Sequence, residues 1–436
     1  MTQQGCSGQA VDFLPTASLV TLRHRASLLR AIRKSFDEAG YFEVETPILS
    51  SDIVVDAWLE PFVTEFLPLA SDWPRGGSAR YLQTSPEFAM KRLLAAGAKA
   101  IYQLGKVFRN GEVGQRHNPE FTMLEWYRVG DDHHAQMQWT EQLVRRVFVV
   151  AGELLKRGDE DACADLASQR PSSNPQLASS DPDPSPPSSG ERLGEGADSK
   201  LGPLTLTLSP EDGGRGDNAT KQQEQPVRTA CQEALARHRD LARRVAHPAG
   251  FERLSYDDAF QRHAGQRVLG VDVAKLRDIA AQHSLVSPPG LDKCDRDGWL
   301  NWLLAELVEP HLGLERPTFL FDYPASQAAL ARVSQPSPGA PPVAERFELY
   351  LNGVELCNGY HELTDPTALR ARIGEQLSLR SAAGLRPLPA ESRLLAAMDA
   401  GLPASSGNAL GVDRLVMLAL GQRCLADVIP FPFDRA

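Results

Sequence analysis

The sequence predicts an α+β fold, an antiparallel sheet with helices packed on it. Strand-like segments come in pairs separated by short turns. Helical segments with an apolar stripe stand apart from them and do not alternate with single strands. Neither G-x-x-x-x-G-K-[ST] nor a strand followed by G-x-G-x-x-G occurs, since Gly105-Lys106 leads into Val107, and this speaks against a P-loop or Rossmann nucleotide site.

Taken in order, residues 1–20 form an N-terminal tail. Segment 22–39 puts Leu22, Leu28, Leu29, Ile32 and Phe36 on one helical face and Arg23, Arg25, Arg30, Arg33 and Lys34 outside, with Gly40 as its stop. Residues 41–47 alternate as a strand ended by Pro47. Segment 81–83 is strand-like, 86–95 helical and 101–108 strand-like again. Further on, 319–323 and 346–350 read as strands, 390–400 as a helix, and 410–420 as a strand end or loop entering a helix.

Between these blocks the composition changes. Thirteen of the twenty residues 171–190 are Ser or Pro, too few apolar groups to offset the entropy of ordering the chain. The run 201–209 alternates like a strand but has no visible partner. The expected organisation is one catalytic domain in two parts, 21–157 and 251–436, interrupted by a largely disordered insert at 158–250 whose length costs little if its ends already lie close. Lys and Arg total 46 against 56 Asp and Glu, a net charge of −10 and the wrong sign for gripping nucleic acid through the overall field. Apolar runs such as 147–151 are too short to span a bilayer, so a soluble cytoplasmic protein is expected. Six separated cysteines without a C-x-x-C pair suggest neither a zinc knuckle nor a disulfide framework.

Three clusters could carry chemistry. Residues 108–127 (FRNGEVGQRHNPEFTMLEWY) read as strand, glycine-containing loop and strand, with Phe121, Met123 and Glu125 on one face. Arginines at the loop base, a histidine and an aromatic ring facing one cleft suit a nucleoside polyphosphate, though an ordinary charged hairpin has the same pattern. In the second, Asn352-Gly353 turns a hairpin whose strands carry Glu348 and Glu355. Two such carboxylates either hold a hard cation such as Mg²⁺ between them or stand solvated on a surface. In the third, 406–417, a glycine-rich segment enters a helix at Arg414, a place for an anion or simply an amphipathic helix.

In this order the clusters resemble motifs 1, 2 and 3 of class II aminoacyl-tRNA synthetases, closest to the lysyl branch: the 22–39 helix with 42–47, then 108–127, then 407–414. The resemblance covers about 21–155 and 250–436. Only about twenty residues precede the motif 1 helix, whereas lysyl-tRNA synthetases carry an anticodon-reading OB-fold there. The chain therefore resembles the truncated paralogues that attach (R)-β-lysine to a lysine of elongation factor P.

The resemblance implies the following roles. Arg109 and Arg414 are catalytic, on the α- and γ-phosphates of ATP. Phe121 stacks on adenine, with His117 and Asn118 on the motif 2 loop, and Glu348 and Glu355 bind Mg²⁺. Ser85, Glu87, Glu125, Tyr127, Asn358, Glu362 and Ala409 form the amino-acid pocket. The implied partners are ATP, (R)-β-lysine, elongation factor P and a second copy of the chain in a homodimer, with neither tRNA nor membrane. Two positions depart from the lysyl pattern. Ala409 replaces a glycine, which would reshape the pocket toward a β-amino acid. Gly111 stands where motif 2 has glutamate, with Glu112 one place later. Two other readings share these motifs: an α-lysine-activating paralogue acting on tRNA or another acceptor, and an inert regulatory paralogue.

Overall fold

The computed structural model describes residues 13–67, 77–168, 217–291 and 295–436, with side chains for all of these except 158–168 and 217–228. The Ser/Pro-rich stretch and the 201–209 run lie outside the described residues. Helix α1 (Leu19–Glu38) leads through β1 (Phe42–Glu43) to a small sheet of β2 (Leu49–Ser50), β3 (Val63–Phe66) and β4 (Ser78–Leu82). Next come α2 (Glu87–Ala95), the hairpin β5 (Ala100–Phe108) and β6 (Glu120–Val129), and α3 (His133–Ser168). The chain resumes with α4 (Asp217–Val245), β7 (Glu252–Ser255), α5 (Tyr256–Ala264), α6 (Val273–Gln282), α7 (Arg296–Leu303) and β8 (Thr318–Pro324). It closes with β9 (Val333–Ser334), β10 (Val343–Leu351), β11 (Val354–His361), α8 (Pro366–Ala382), α9 (Arg393–Gly401), β12 (Ser405–Gly411) and α10 (Val412–Ala419).

The large sheet runs β1-β5-β6-β12-β11-β10-β8-β7, with β9 on β10. It is antiparallel from β5 to β8, as expected, and only the edge pairs β1–β5 and β7–β8 are parallel. This topology brings β6, β12 and β11, distant in sequence, side by side at the centre. The expected strand over 41–47 shrinks to Phe42–Glu43, because past Val44, which donates to the Tyr102 carbonyl at 2.8 Å, the next amide bond goes to a side chain instead of a strand, Thr46 N donating to Gln103 Oε1 at 2.8 Å.

Helix α1 buries Leu28, Ile32 and Phe36, and Phe36 stacks on Tyr102 at 4.5 Å and meets Trp126 edge-on at 5.4 Å. Ser18 caps its start by accepting from the Thr21 amide at 3.1 Å. At its end Gly40 takes φ +78°, and the Gly40 and Tyr41 amides donate back to Asp37 and Phe36 in a Schellman closure. The tail is shorter than 1–20: Ala17 is buried, and Thr16 donates through its amide to Pro430 O at 2.9 Å.

The chain divides into two units, Met1–Gly158 with Glu233–Ala436, and Asp159–Gln232. The boundary expected at 250 therefore moves to 233. The C-terminal half of α4 belongs to the larger unit because Leu241 and Val245 enter its main core. His238 Nδ1 also lies 2.7 Å from the Ala419 carbonyl, and Arg237 Nε donates to Gly421 O at 2.6 Å. No described helix is long and apolar enough to cross a membrane. Cys357 is buried, Cys424 half-buried and Cys231 exposed, with no disulfide among the described residues.

Candidate active site

The site lies on the central strands, and the ladder registers explain why. One transverse row across four strands carries Glu125 on β6, Ala409 on β12, Asn358 on β11 and Glu348 on β10. Asn352 and Gly353 both have positive φ, +56° and +64°, the type I′ geometry that sets the β10–β11 register. Gly407, one pleat along, is required by close approach: a Cβ there would lie 2.3 Å from the Tyr127 ring and 2.8 Å from Glu362.

Over the middle of the row, at Ala409 and Asn358, opens a cavity of about 320 Å³. Arg109, His117, Asn118, Phe121, Glu355, Asn358, Ala409 and Arg414 line it, as the sequence leads one to expect, together with Arg116, Glu112, Met123 and Asp413. The Arg109 guanidinium lies over the Phe121 ring at 5.2 Å. Glu112, one place after Gly111, where φ is +86°, stands 3.7 Å from Arg109. Arg414 is held from three sides, donating to Arg116 O at 3.2 Å, Glu355 O at 3.0 Å and His117 Nε2 at 2.7 Å. Desolvation and the Arg414 charge lower the His117 pKa, which keeps that ring a neutral acceptor. Asn118 borders the cavity, but its amide is engaged elsewhere, donating to Glu120 O at 2.7 Å and accepting from the Phe433 amide at 2.9 Å.

The two acids of the β10–β11 hairpin differ. Glu348 does not line the cavity: one oxygen accepts from Arg346 at 2.5 Å and the other from Tyr323 and Tyr350 at 2.6 and 2.7 Å. Glu355 does line it. Desolvation in the cleft and the nearby Glu348 charge push its carboxyl up to about 7, while Arg414 and Arg109 pull the other way. A carboxylate that faces the cleft, with one oxygen 3.5 Å from Arg414, is a fitting donor for Mg²⁺ beside a polyphosphate, with Glu348 as a charge behind it.

Ser85, Glu87, Glu125, Tyr127 and Glu362 form a second, buried cluster at the Glu125 end of the row. Ser85 and Tyr127 donate to Glu125 at 2.8 and 2.6 Å. At its centre is Lys91, 1% exposed, whose ammonium lies 2.5 Å from both Glu87 and Glu362. Burial pulls that ammonium down, yet the two carboxylates outweigh it and hold it well above its ordinary range. Desolvation and the Glu87 charge push Glu125 up to about 7. Burial, and the Glu87 and Glu125 charges, push Glu362 up to about 8 against the pull of Lys91. Glu87 and Glu362 thus share one ammonium, with Glu125 close enough to feel their charges, so the buried nest holds three carboxylates against one cation.

The sequence reading missed Lys91. Its i,i+4 spacing from Glu87 on α2 is visible, but such pairs normally mark an exposed face, and only tertiary burial makes it the centre of a charge nest. Also missed were Arg346, which fixes Glu348, and the pair Arg25–Asp413. Asp413 accepts from the Thr122 amide at 2.9 Å, and Arg25 lies 2.5 Å from Asp413 and donates to Thr122 Oγ1 at 3.0 Å, so α1, β6 and α10 meet at one buried charge.

Comparison with known proteins agrees with this geometry. The family model for class II tRNA synthetases (D, K and N) matches residues 8–170 and 215–435. An elongation factor P–(R)-β-lysine ligase of Vibrio cholerae serotype O1 is 37% identical over 425 residues, 98% of this chain and 99% of the relative. Those of an Enterobacter species and of Klebsiella pneumoniae subsp. pneumoniae are 37% and 36% identical over 428 residues each, with the same coverage. The chain belongs to the class II tRNA synthetase family, in the branch of the elongation factor P–(R)-β-lysine ligases.

Proposed function

We propose that the chain activates (R)-β-lysine with ATP as an adenylate and transfers it to the ε-amine of a lysine of elongation factor P. The observation that carries the reading is the buried nest: Glu87 and Glu362 paired with the single ammonium of Lys91 and Glu125 beside them, three carboxylates against one cation. A diammonium amino acid would supply the missing positive charge and donors. A neutral analogue would leave the carboxylates unpaired at roughly 1–3 kcal/mol each. Ala409, between Glu125 and Asn358 in the row, puts its methyl beside the substrate backbone.

In the first step the ionised carboxylate of β-lysine attacks the α-phosphorus, a new P–O bond forms, and the bond to pyrophosphate breaks. Arg109 holds the α-phosphate and Arg414 the γ-phosphate, stabilising charge as it develops. Phe121 offers the face opposite Arg109 to adenine. His117 positions Arg414, and Asn118 orders the loop. Glu355, backed by Glu348, would hold Mg²⁺, which when bound neutralises polyphosphate charge. In the second step the acceptor amine attacks the adenylate carbonyl, the C–N bond forms, the C–O bond to AMP breaks, and the amine's proton passes to solvent.

A homodimer completes the proposal. Phe42, Ile48 and Leu49 are 54, 45 and 44% exposed just after α1, an apolar edge suited to a second copy. The cytoplasm, where translation factors work, is the proposed location. The test is ATP–pyrophosphate exchange with (R)-β-lysine, (S)-β-lysine and α-lysine in parallel, then mass analysis of added elongation factor P. Exchange with (R)-β-lysine and a mass gain of one β-lysyl group are expected. Exchange with α-lysine alone would replace the reading by the α-lysine-activating one, and no exchange by the inert one.

A further inference from the structure

On the other side of β11 from Glu362, three side chains from distant parts of the chain converge: His133 at the start of α3, Glu345 on β10 and His361 on β11. Their ligating atoms all lie within 4.8 Å of one another. His133 is 6% exposed, and neither of its ring nitrogens has a hydrogen-bond partner. The nearest anion to it is Asp322, whose Oδ1 stands 3.8 Å from Nε2, beyond hydrogen-bond reach. His361 Nδ1 faces Glu345 Oε2 at 2.5 Å, while the other Glu345 oxygen is 3.8 Å from Arg332 Nε. A buried imidazole with two idle nitrogens, aimed at a second imidazole and a carboxylate, is costly unless something sits between them.

We propose that His133, His361 and Glu345 bind a divalent transition-metal ion of the Zn²⁺ type, with water completing its coordination. Two imidazoles with a carboxylate suit Zn²⁺ and disfavour Mg²⁺ and Ca²⁺, which take oxygen ligands. A four-coordinate ion with bonds of about 2.0–2.2 Å needs ligand atoms roughly 3.4 Å apart. Binding therefore replaces the proton shared by His361 and Glu345, moves the two groups about 1 Å apart, and draws in His133. The ion would clamp the start of α3 to β10 and β11 directly behind the strand that presents Asn358 and Glu362. The site is separate from the ATP cleft and its chemistry does not depend on the proposed reaction.

The test uses the full-length protein, stripped with chelator and titrated with Zn²⁺ alone in the presence of excess Mg²⁺. One Zn²⁺ per chain is expected, with a rise in melting temperature. Affinity should fall at least about tenfold in His133→Gln and in His361→Gln, the least that disturbing a metal's surroundings costs, and remain in Glu355→Gln. Because the histidine variants could fold poorly, Co²⁺ is added to the wild type, where intense visible d–d bands of a four-coordinate imidazole–carboxylate site are expected. Absence of Zn²⁺ binding, absence of those bands, or binding that survives both histidine substitutions and disappears in Glu355→Gln overturns the proposal.

Discussion

The two ends of the site hold similar numbers of charges in opposite ways. At the nucleotide end Arg109 and Glu112 are about one-third exposed, and the arginines are steadied by backbone carbonyls and a neutral histidine. At the proposed amino-acid end Glu87, Lys91, Glu125 and Glu362 are almost wholly buried. Open charges are screened and interchangeable within limits, whereas buried charges must balance among themselves and with the ligand. The difference teaches that, if the buried end takes the amino acid as proposed, discrimination is strongest where burial makes each charge costly, and the open cleft is free to be general.

The largest break in this contrast should come from Lys91→Met. It leaves Glu87 and Glu362 buried without their cation and should lower stability by about 3–5 kcal/mol, read as a shift of the urea midpoint at unchanged slope. The corresponding change at the open end, Glu112→Gln, should move stability by less than about 1 kcal/mol. Next is Glu362→Gln, expected to raise the KM for (R)-β-lysine by one to two orders of magnitude through loss of a charged hydrogen bond of about 1.5–3 kcal/mol, with the KM for ATP unchanged. Equal effects on both substrates would put Glu362 outside the amino-acid pocket.

A pH series sharpens the comparison further. Glu125 and Glu362 titrate near 7 and 8, raised from the ordinary carboxylate range, and only their ionised forms attract ammonium groups. The KM for (R)-β-lysine should therefore fall as pH rises from 6 to 8, by up to about tenfold per unit for each group still titrating. A flat profile would mean that the carboxylates are already ionised in the free enzyme. The smallest effect concerns salt: raising ionic strength should weaken ATP binding to the open cleft by a few-fold and leave β-lysine binding in the buried nest nearly unchanged.

Much of the fold was legible because its signals are local. The α1 stripe ends at Gly40, whose positive φ the glycine anticipates, and Asn352-Gly353 announces the hairpin it forms. The motif 2 hairpin appears with Phe121 and Met123 in the cavity, as period two requires. The parallel edges, and the half of α4 that joins the main core, were not legible. They depend on pairings with β5, β8 and the segment around Ala419, which no local pattern specifies.

The site divides in the same way. Residue types and spacing were enough to nominate Arg109, Phe121, Glu355 and Arg414, because arginines on a hairpin, an acid beside a turn and an arginine where a glycine-rich segment enters a helix announce themselves, whereas Ala409 was nominated only through the family resemblance. Local spacing could not say that Glu348 is turned into a cage of Arg346, Tyr323 and Tyr350, that Asn118 ties down the C-terminal segment, or that Lys91 lies between two carboxylates. By itself the sequence determined the chemistry available and the family to which the chain belongs. The tertiary structure alone decided which charges are buried together, since burial and charge balance are properties of surfaces brought into contact across hundreds of residues of chain.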